Sequence, residues 1–184
     1  MGGKPTPPPP LPKGAPQGLK VQYQAGDPGQ PCDQYIVPKI RIVNTDAKAD
    51  APVKGLIVRY WFAPDTTQPQ NWFGAPIDNN NWTVGIYTPT ASVPGADIAI
   101  AFNASVTTTE VIRANGGASV PLSVIWCKPG SAVHTCPSNS EPFDEYNDYS
   151  YNPFMTSYTD WDRVTLYWKD DQGVERLIWG TEPG

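Results

Sequence analysis

The heptapeptide Leu56-Ile57-Val58-Arg59-Tyr60-Trp61-Phe62 constrains this chain more than any other stretch. Read as a strand, it sends Leu56, Val58, Tyr60 and Phe62 to one side and Ile57, Arg59 and Trp61 to the other. Both sides are bulky, so each needs cover. Shorter runs of the same kind recur at 19–23, 40–44, 82–87, 98–102, 122–126, 163–168 and 176–179. Gly, Pro, Asn and Asp separate them, as turns require. The one stretch with a helical look, 108–113, is short and uncapped. Many short strands without crossover helices predict an all-β, antiparallel β-sandwich or jelly roll.

Composition narrows the function. The chain has 184 residues, 39% of them apolar, which is enough for one packed core and hardly two. Charged residues make up only 17%, while 22 Pro, 16 Gly, 7 Trp and 9 Tyr suit a loop-rich domain with aromatic surfaces. A net charge of -5 with one histidine, His134, leaves no basic stripe for a nucleic acid. No apolar run is long enough to span a membrane.

The first residues, Met1-Gly2-Gly3-Lys4-Pro5, lack the apolar core of a signal peptide, so the chain reads as a module excised from a larger secreted parent. Residues 1–18 are Pro-rich and predict a semi-rigid polyproline II linker; 19–184 form the folded module. Cys127 and Cys136 bracket a short loop. Either they are bridged, which would add about 2–3 kcal/mol by restricting the unfolded chain, or they are two buried thiols. Cys32 is then left as a thiol of the core or of a loop. A zinc site from Cys127, His134 and Cys136 lacks a fourth ligand, and His134 reads as an exposed loop residue.

The tail Tyr146-Asn147-Asp148-Tyr149-Ser150-Tyr151, then Thr159-Asp160-Trp161-Asp162, then Leu177-Ile178-Trp179-Gly180-Thr181-Glu182-Pro183, resembles the C-terminal signature of family 3 carbohydrate-binding modules. Leu19-Lys20-Val21-Gln22-Tyr23, Lys39-Ile40-Arg41-Ile42-Val43-Asn44-Thr45 and Val58-Arg59-Tyr60-Trp61-Phe62 extend the likeness over nearly everything after the linker. The resemblance implies a jelly-roll sandwich of about nine strands with a structural calcium ion. Its implied ligands are the carbonyls of Ala63 and Asp144 and the side chains of Asp65, Asn147 and Asp148. Calcium takes six to eight oxygens of these types. Asn147 and Asp148 also suit a plain turn.

Family members that bind crystalline cellulose carry an aromatic and polar strip on one sheet. Here the two strip segments read Asn71-Trp72-Phe73-Gly74-Ala75-Pro76 and Asn139-Ser140-Glu141-Pro142, without the acid, histidine and tryptophan of the pattern. Trp72, Phe73 and Trp82, with Asn79, Asn80 and Asn81 among them, form either a substitute platform or plugs at the end of the sandwich. Arg59, Trp61, Tyr149 and Tyr167 match a shallow groove on the opposite sheet. That groove is either a cation–π stack or a docking surface for a glycan, a linker or a catalytic domain. Asp160 and Asp162, two apart on one strand face, resemble paired glycosidase carboxylates, but a sandwich this small offers little cleft. Trp161 reads as core, and two Asn-X-Ser/Thr matches, at Asn81 and Asn103, carry little information.

The expectation is a secreted, extracellular, monomeric bacterial module without catalysis. It would hold a parent catalytic domain on plant cell-wall polysaccharide, cellulose or a related β-glucan. Its rivals are an accessory module packed against that catalytic domain and an adhesion or sensor module for another wall glycan.

Overall fold

The computed structural model describes residues 10–11, 13–30, 32, 35–65, 81–127 and 143–184, and the backbone of 71–73. Fourteen extended segments follow one another: β1 Leu19–Ala25, β2 Tyr35–Ile36, β3 Pro38–Asn44, β4 Ala51–Pro52, β5 Leu56–Phe62, β6 Asn71–Phe73 and β7 Trp82–Tyr87 come first. Then come β8 Ile98–Ala104, β9 Val111–Ile112, β10 Leu122–Ser123, β11 Ile125–Cys127, β12 Thr159–Asp160, β13 Val164–Lys169 and β14 Glu175–Trp179. Among the described residues the one helical element is a 3-10 turn, Glu145–Asn147.

Every pairing is antiparallel. One layer has the order β10-β3-β1-β12, the other β14-β13-β5-β8-β7, and β2-β11-β6 forms a small third sheet. The inward side chains Val21, Tyr23, Ile40 and Ile42 of the first layer meet Val58, Tyr60, Phe62, Ile100, Phe102 and Leu166 of the second, all fully or almost fully buried. Each such side chain contributes about 1.5–3 kcal/mol by leaving water. The Tyr23 and Tyr60 rings lie 5.9 Å apart across the layers.

The predicted two-sidedness of β5 holds, because its other face also finds cover. Ile57, Trp61 and Tyr167 form a second small cluster with Ala96 and Ala99. The register explains the fit: Arg59 lies beside Ala101 and Trp61 beside Ala99 on β8, and these small neighbours leave room for long side chains.

Two local expectations change. Within 108–113 no helix forms, and Val111–Ile112 is a short strand that pairs with Pro52 and Ala51. Their β-branched side chains favour a strand, and the Glu110 amide is held by the Thr108 hydroxyl. Asn71–Phe73, outside the strands expected above, pairs along β11 from Cys127 to Ile125. Packing also begins before β1: Ala15 and Pro16 are buried in the residues leading into it.

Candidate functional site

The first cluster forms where β5 runs out. Ala63, Pro64 and Asp65 follow Phe62, and Asp65 takes a left-handed backbone (φ 50°), turning its carboxylate toward the 143–148 segment. Asp65 Oδ2 accepts from the Asp144 amide (2.9 Å) and Oδ1 from Asn147 Nδ2 (3.0 Å). The Ala63 amide donates to Asp148 Oδ1 at 2.8 Å. Ser150 fixes the register of the two segments, accepting from the Trp61 amide through Oγ (2.8 Å) and donating its own amide to the Trp61 carbonyl (3.1 Å). Gly95 docks beneath them: its carbonyl accepts from the Tyr149 amide at 2.8 Å. The five expected ligand residues, Ala63, Asp65, Asp144, Asn147 and Asp148, are thus brought together.

Their electrostatics are lopsided. Asp148 is buried, and its Oδ2 has no hydrogen-bond partner among the described residues. Burial pushes its carboxyl well above the usual carboxylate range, and Asp65, Asp144 and Asp97 push it further against the pull of the Ala63 amide. A buried carboxylate with an orphaned oxygen and acidic neighbours is costly unless a cation or proton reaches it. No three His, Cys, Asp or Glu side chains converge among the described residues, so a cation here would depend on the Asn147 amide and on carbonyls. That donor mixture is all oxygen, which suits a hard cation.

The second cluster is the groove face, where burial corrects the candidacy of Arg59, Trp61 and Tyr167 as carbohydrate-binding residues and fits the alternative of a cation–π stack. Arg59, Trp61 and Tyr167 are each only about 4% exposed. The Arg59 guanidinium lies 3.5 Å from the Tyr87 ring centre and 4.2 Å from that of Tyr167, and it pairs with Glu175. Trp61 packs edge-on to Tyr87 and donates its indole N–H to Thr165 Oγ1 (2.8 Å). The C-terminal residues strap the face down: Tyr167 donates to Glu182 (2.7 Å) and Tyr149 to the Thr181 carbonyl (3.0 Å). A hollow of about 210 Å³ remains beside Trp61, Val93 and Pro183. Tyr87 and Glu175 complete this stack and were not singled out in the sequence, because their roles depend on cross-strand neighbours.

The proposed ring platform is also revised. Trp82 is 5% exposed and belongs to the main core, so no sugar can stack on it. The backbone of Trp72 and Phe73 lies in β6, while their side chains, with Asn79, Asn80 and Ser140, fall outside the described residues. So do His134 and Cys136. Cys127 is disulfide-bonded, and Cys32 is exposed with its Sγ 3.7 Å from Asp144 Oδ1. Asp160 and Asp162 part company: Asp160 engages Lys20 (2.6 Å) and Gln22 (2.8 Å), while Asp162 accepts from Thr181 (3.1 Å). Trp161 is half-buried against the core.

A third arrangement was missed in the sequence. On the outer face of the β10-β3-β1-β12 layer, Arg41 stacks 4.5 Å from the Tyr158 ring centre. Its Nε donates to Gln22 Oε1 at 2.8 Å, and Gln22 in turn donates to Asp160. The signal was present in the alternation of β1, whose residues 20, 22 and 24 face away from the core.

Comparison with known proteins agrees with this architecture. The family model described as "cellulose binding domain" matches residues 20–180. Endoglucanase A of Paenibacillus lautus is 33% identical over 170 residues, covering 90% of this chain and 21% of that protein. Endoglucanase 5 of Pectobacterium carotovorum subsp. carotovorum is 30% identical over 169 residues, 89% of this chain and 29% of that one. The chain therefore spans under a third of the length of either. The CBM3b of the scaffoldin ScaA from Acetivibrio cellulolyticus superposes with a TM-score of 0.71 at 26% identity, covering 92% of this chain and all of that one. With its match running from the first strand to the end of the last, the chain belongs to the family 3 cellulose-binding domains, carbohydrate-binding modules built as antiparallel β-sandwiches.

Proposed function

We propose that this domain is an extracellular, non-catalytic, monomeric anchor that holds a parent polysaccharide-degrading enzyme on cellulose or a related β-glucan. One observation carries the choice of surface. The groove face is largely covered by its own side chains and tail, whereas on the outer face of the β10-β3-β1-β12 layer Arg41, Tyr158 and Gln22 stay partly exposed. A pyranose offers its axial C–H face to an aromatic ring, and amide and guanidinium groups beside the ring bond the equatorial hydroxyls. The accessory reading loses support, since Arg59, Trp61 and Tyr167, three of the four groove residues it would use for docking, are buried. The non-catalytic part of the reading is supported at Asp160, where the Lys20 and Gln22 bonds hold the carboxyl below its usual range, the wrong direction for a general acid.

We assign calcium to the Ala63–Asp65 and Asp144–Asp148 cluster. The carbonyls of Ala63 and Asp144 and the side chains of Asp65, Asn147 and Asp148 would hold it, and it would compensate the buried Asp148 charge. The role is structural: the ion would join the end of β5 to the segment 79–85 residues further along the chain.

A pull-down against microcrystalline cellulose, amorphous cellulose and xyloglucan, with Tyr158→Ala beside the parent sequence, tests the anchoring role. Retention on at least one glucan that falls at least fivefold in Tyr158→Ala is expected. No retention on any of them refutes the reading.

A further inference from the structure

The outer face of the β10-β3-β1-β12 layer carries more positive charge than a neutral glucan needs. In the whole chain acids outnumber bases, giving a net charge of -5. On this face the balance reverses. The β1–β3 register sets Gln22 opposite Arg41 and Gln24 opposite Lys39, so Arg41 and Lys39 project from the same side of β3. Lys20 projects from β1 and is matched by Asp160 at 2.6 Å. Gln22 Nε2 occupies the second Asp160 oxygen, at 2.8 Å, so that carboxylate is committed. Neither Arg41 nor Lys39 forms an ion pair among the described residues.

Arg41 is also oriented. Its Nε is spent on Gln22 and its guanidinium is held over Tyr158, which, among the described residues, leaves the two terminal nitrogens of the fork for a ligand. Such a fork matches a carboxylate in bidentate geometry, and a lysine on the same strand face supplies a second charge. We propose that this face, read above as the glucan-binding surface, prefers a β-linked wall glycan bearing uronic-acid carboxylates, with a sugar ring against Tyr158 and the acid on Arg41 and Lys39. The inference rests on that surface reading and adds the charge of the ligand to it.

The test compares a glucuronic-acid-substituted xylan with the same polymer after chemical reduction of its carboxyls, by affinity electrophoresis at low ionic strength. The native polymer is expected to bind at least fivefold more tightly than the reduced one. That ratio should fall toward one in Lys39→Gln, in Arg41→Gln and at 1 M salt, where screening reaches contact distance. Circular dichroism melts confirm that each variant is folded. Equal binding of the two polymers, with Tyr158→Ala weakening both, overturns the preference for acid and leaves the surface standing. A Tyr158→Ala protein that binds every polymer as before overturns the surface itself, and the acid inference with it.

Discussion

The Asp148 carboxylate sits on the Ala63 backbone amide, 2.8 Å from Oδ1 to nitrogen, with its other oxygen buried and unpartnered. One oxygen thus organises the turn after β5 while the other is left for something the polypeptide does not supply. Calcium supplies it in the assignment made above. Transfer from calcium into excess EGTA should therefore lower the melting temperature by several degrees in differential scanning calorimetry. Asp148→Ala should cost about 3 kcal/mol and make the melt indifferent to EGTA. A wild-type melt unchanged by EGTA contradicts the assignment.

Gly95 is the second dependency of that cluster. Its φ is 81°, and a Cβ there would lie 2.3 Å from the Asn147 carbonyl oxygen. Gly95→Ala should lose about 2–3 kcal/mol through strain and steric conflict. Because the displaced atom belongs to a ligand residue, calcium affinity should drop in the same variant, read by isothermal titration.

Arg59 is enclosed by Tyr87, Tyr167 and Glu175. Arg59→Ala removes two ring stacks and empties a buried site, while Glu175 keeps Lys169 as a partner, a loss of about 2 kcal/mol in urea unfolding. Arg59→Lys should recover little, since an ammonium cannot lie flat between two rings. Glucan binding by the folded variant should be unchanged, which separates this face from the ligand surface.

Asp160 gives an acid limb to stability. The Lys20 bond, helped by Gln22, lowers its carboxyl below the usual 3.8 in the folded state. An acid whose folded pKa is depressed stabilises the fold above its unfolded pKa, and that contribution is lost as pH falls through the folded value. Melting temperatures measured downward from pH 5 should fall less steeply in Asp160→Asn than in the parent. The pair is half-exposed, so the difference will be small.

The architecture was legible because alternation is a local property: Leu56 to Phe62 announced both faces of β5 and the need for two covers. The acid–amide cluster was legible as well, since the resemblance named its members and the fold brought them together. What failed was exposure. Trp82 and Trp61 are the kind of residue that binds sugars, and sequence alone cannot say that one lies opposite Ala104 within the main core or that Ala99 and Tyr87 flank the other. Burial is set by partners distant in sequence, as is the Arg41–Tyr158 stack, whose members are 117 positions apart. The stretch 108–113, set aside as a helix because it is short and uncapped, shows pairing deciding the outcome, with Val111 and Ile112 drawn into contact with β4.

The two ends of β13 are anchored to different parts of the chain. Gly14 lies against Trp168 near its last residues, whereas the Thr181 amide is tied to the Asp162 carbonyl just before its first. Held in place at both ends and flanked by partners on both edges, β13 has no free end from which to fray. Its backbone amides should be among the last in the domain to exchange with deuterium.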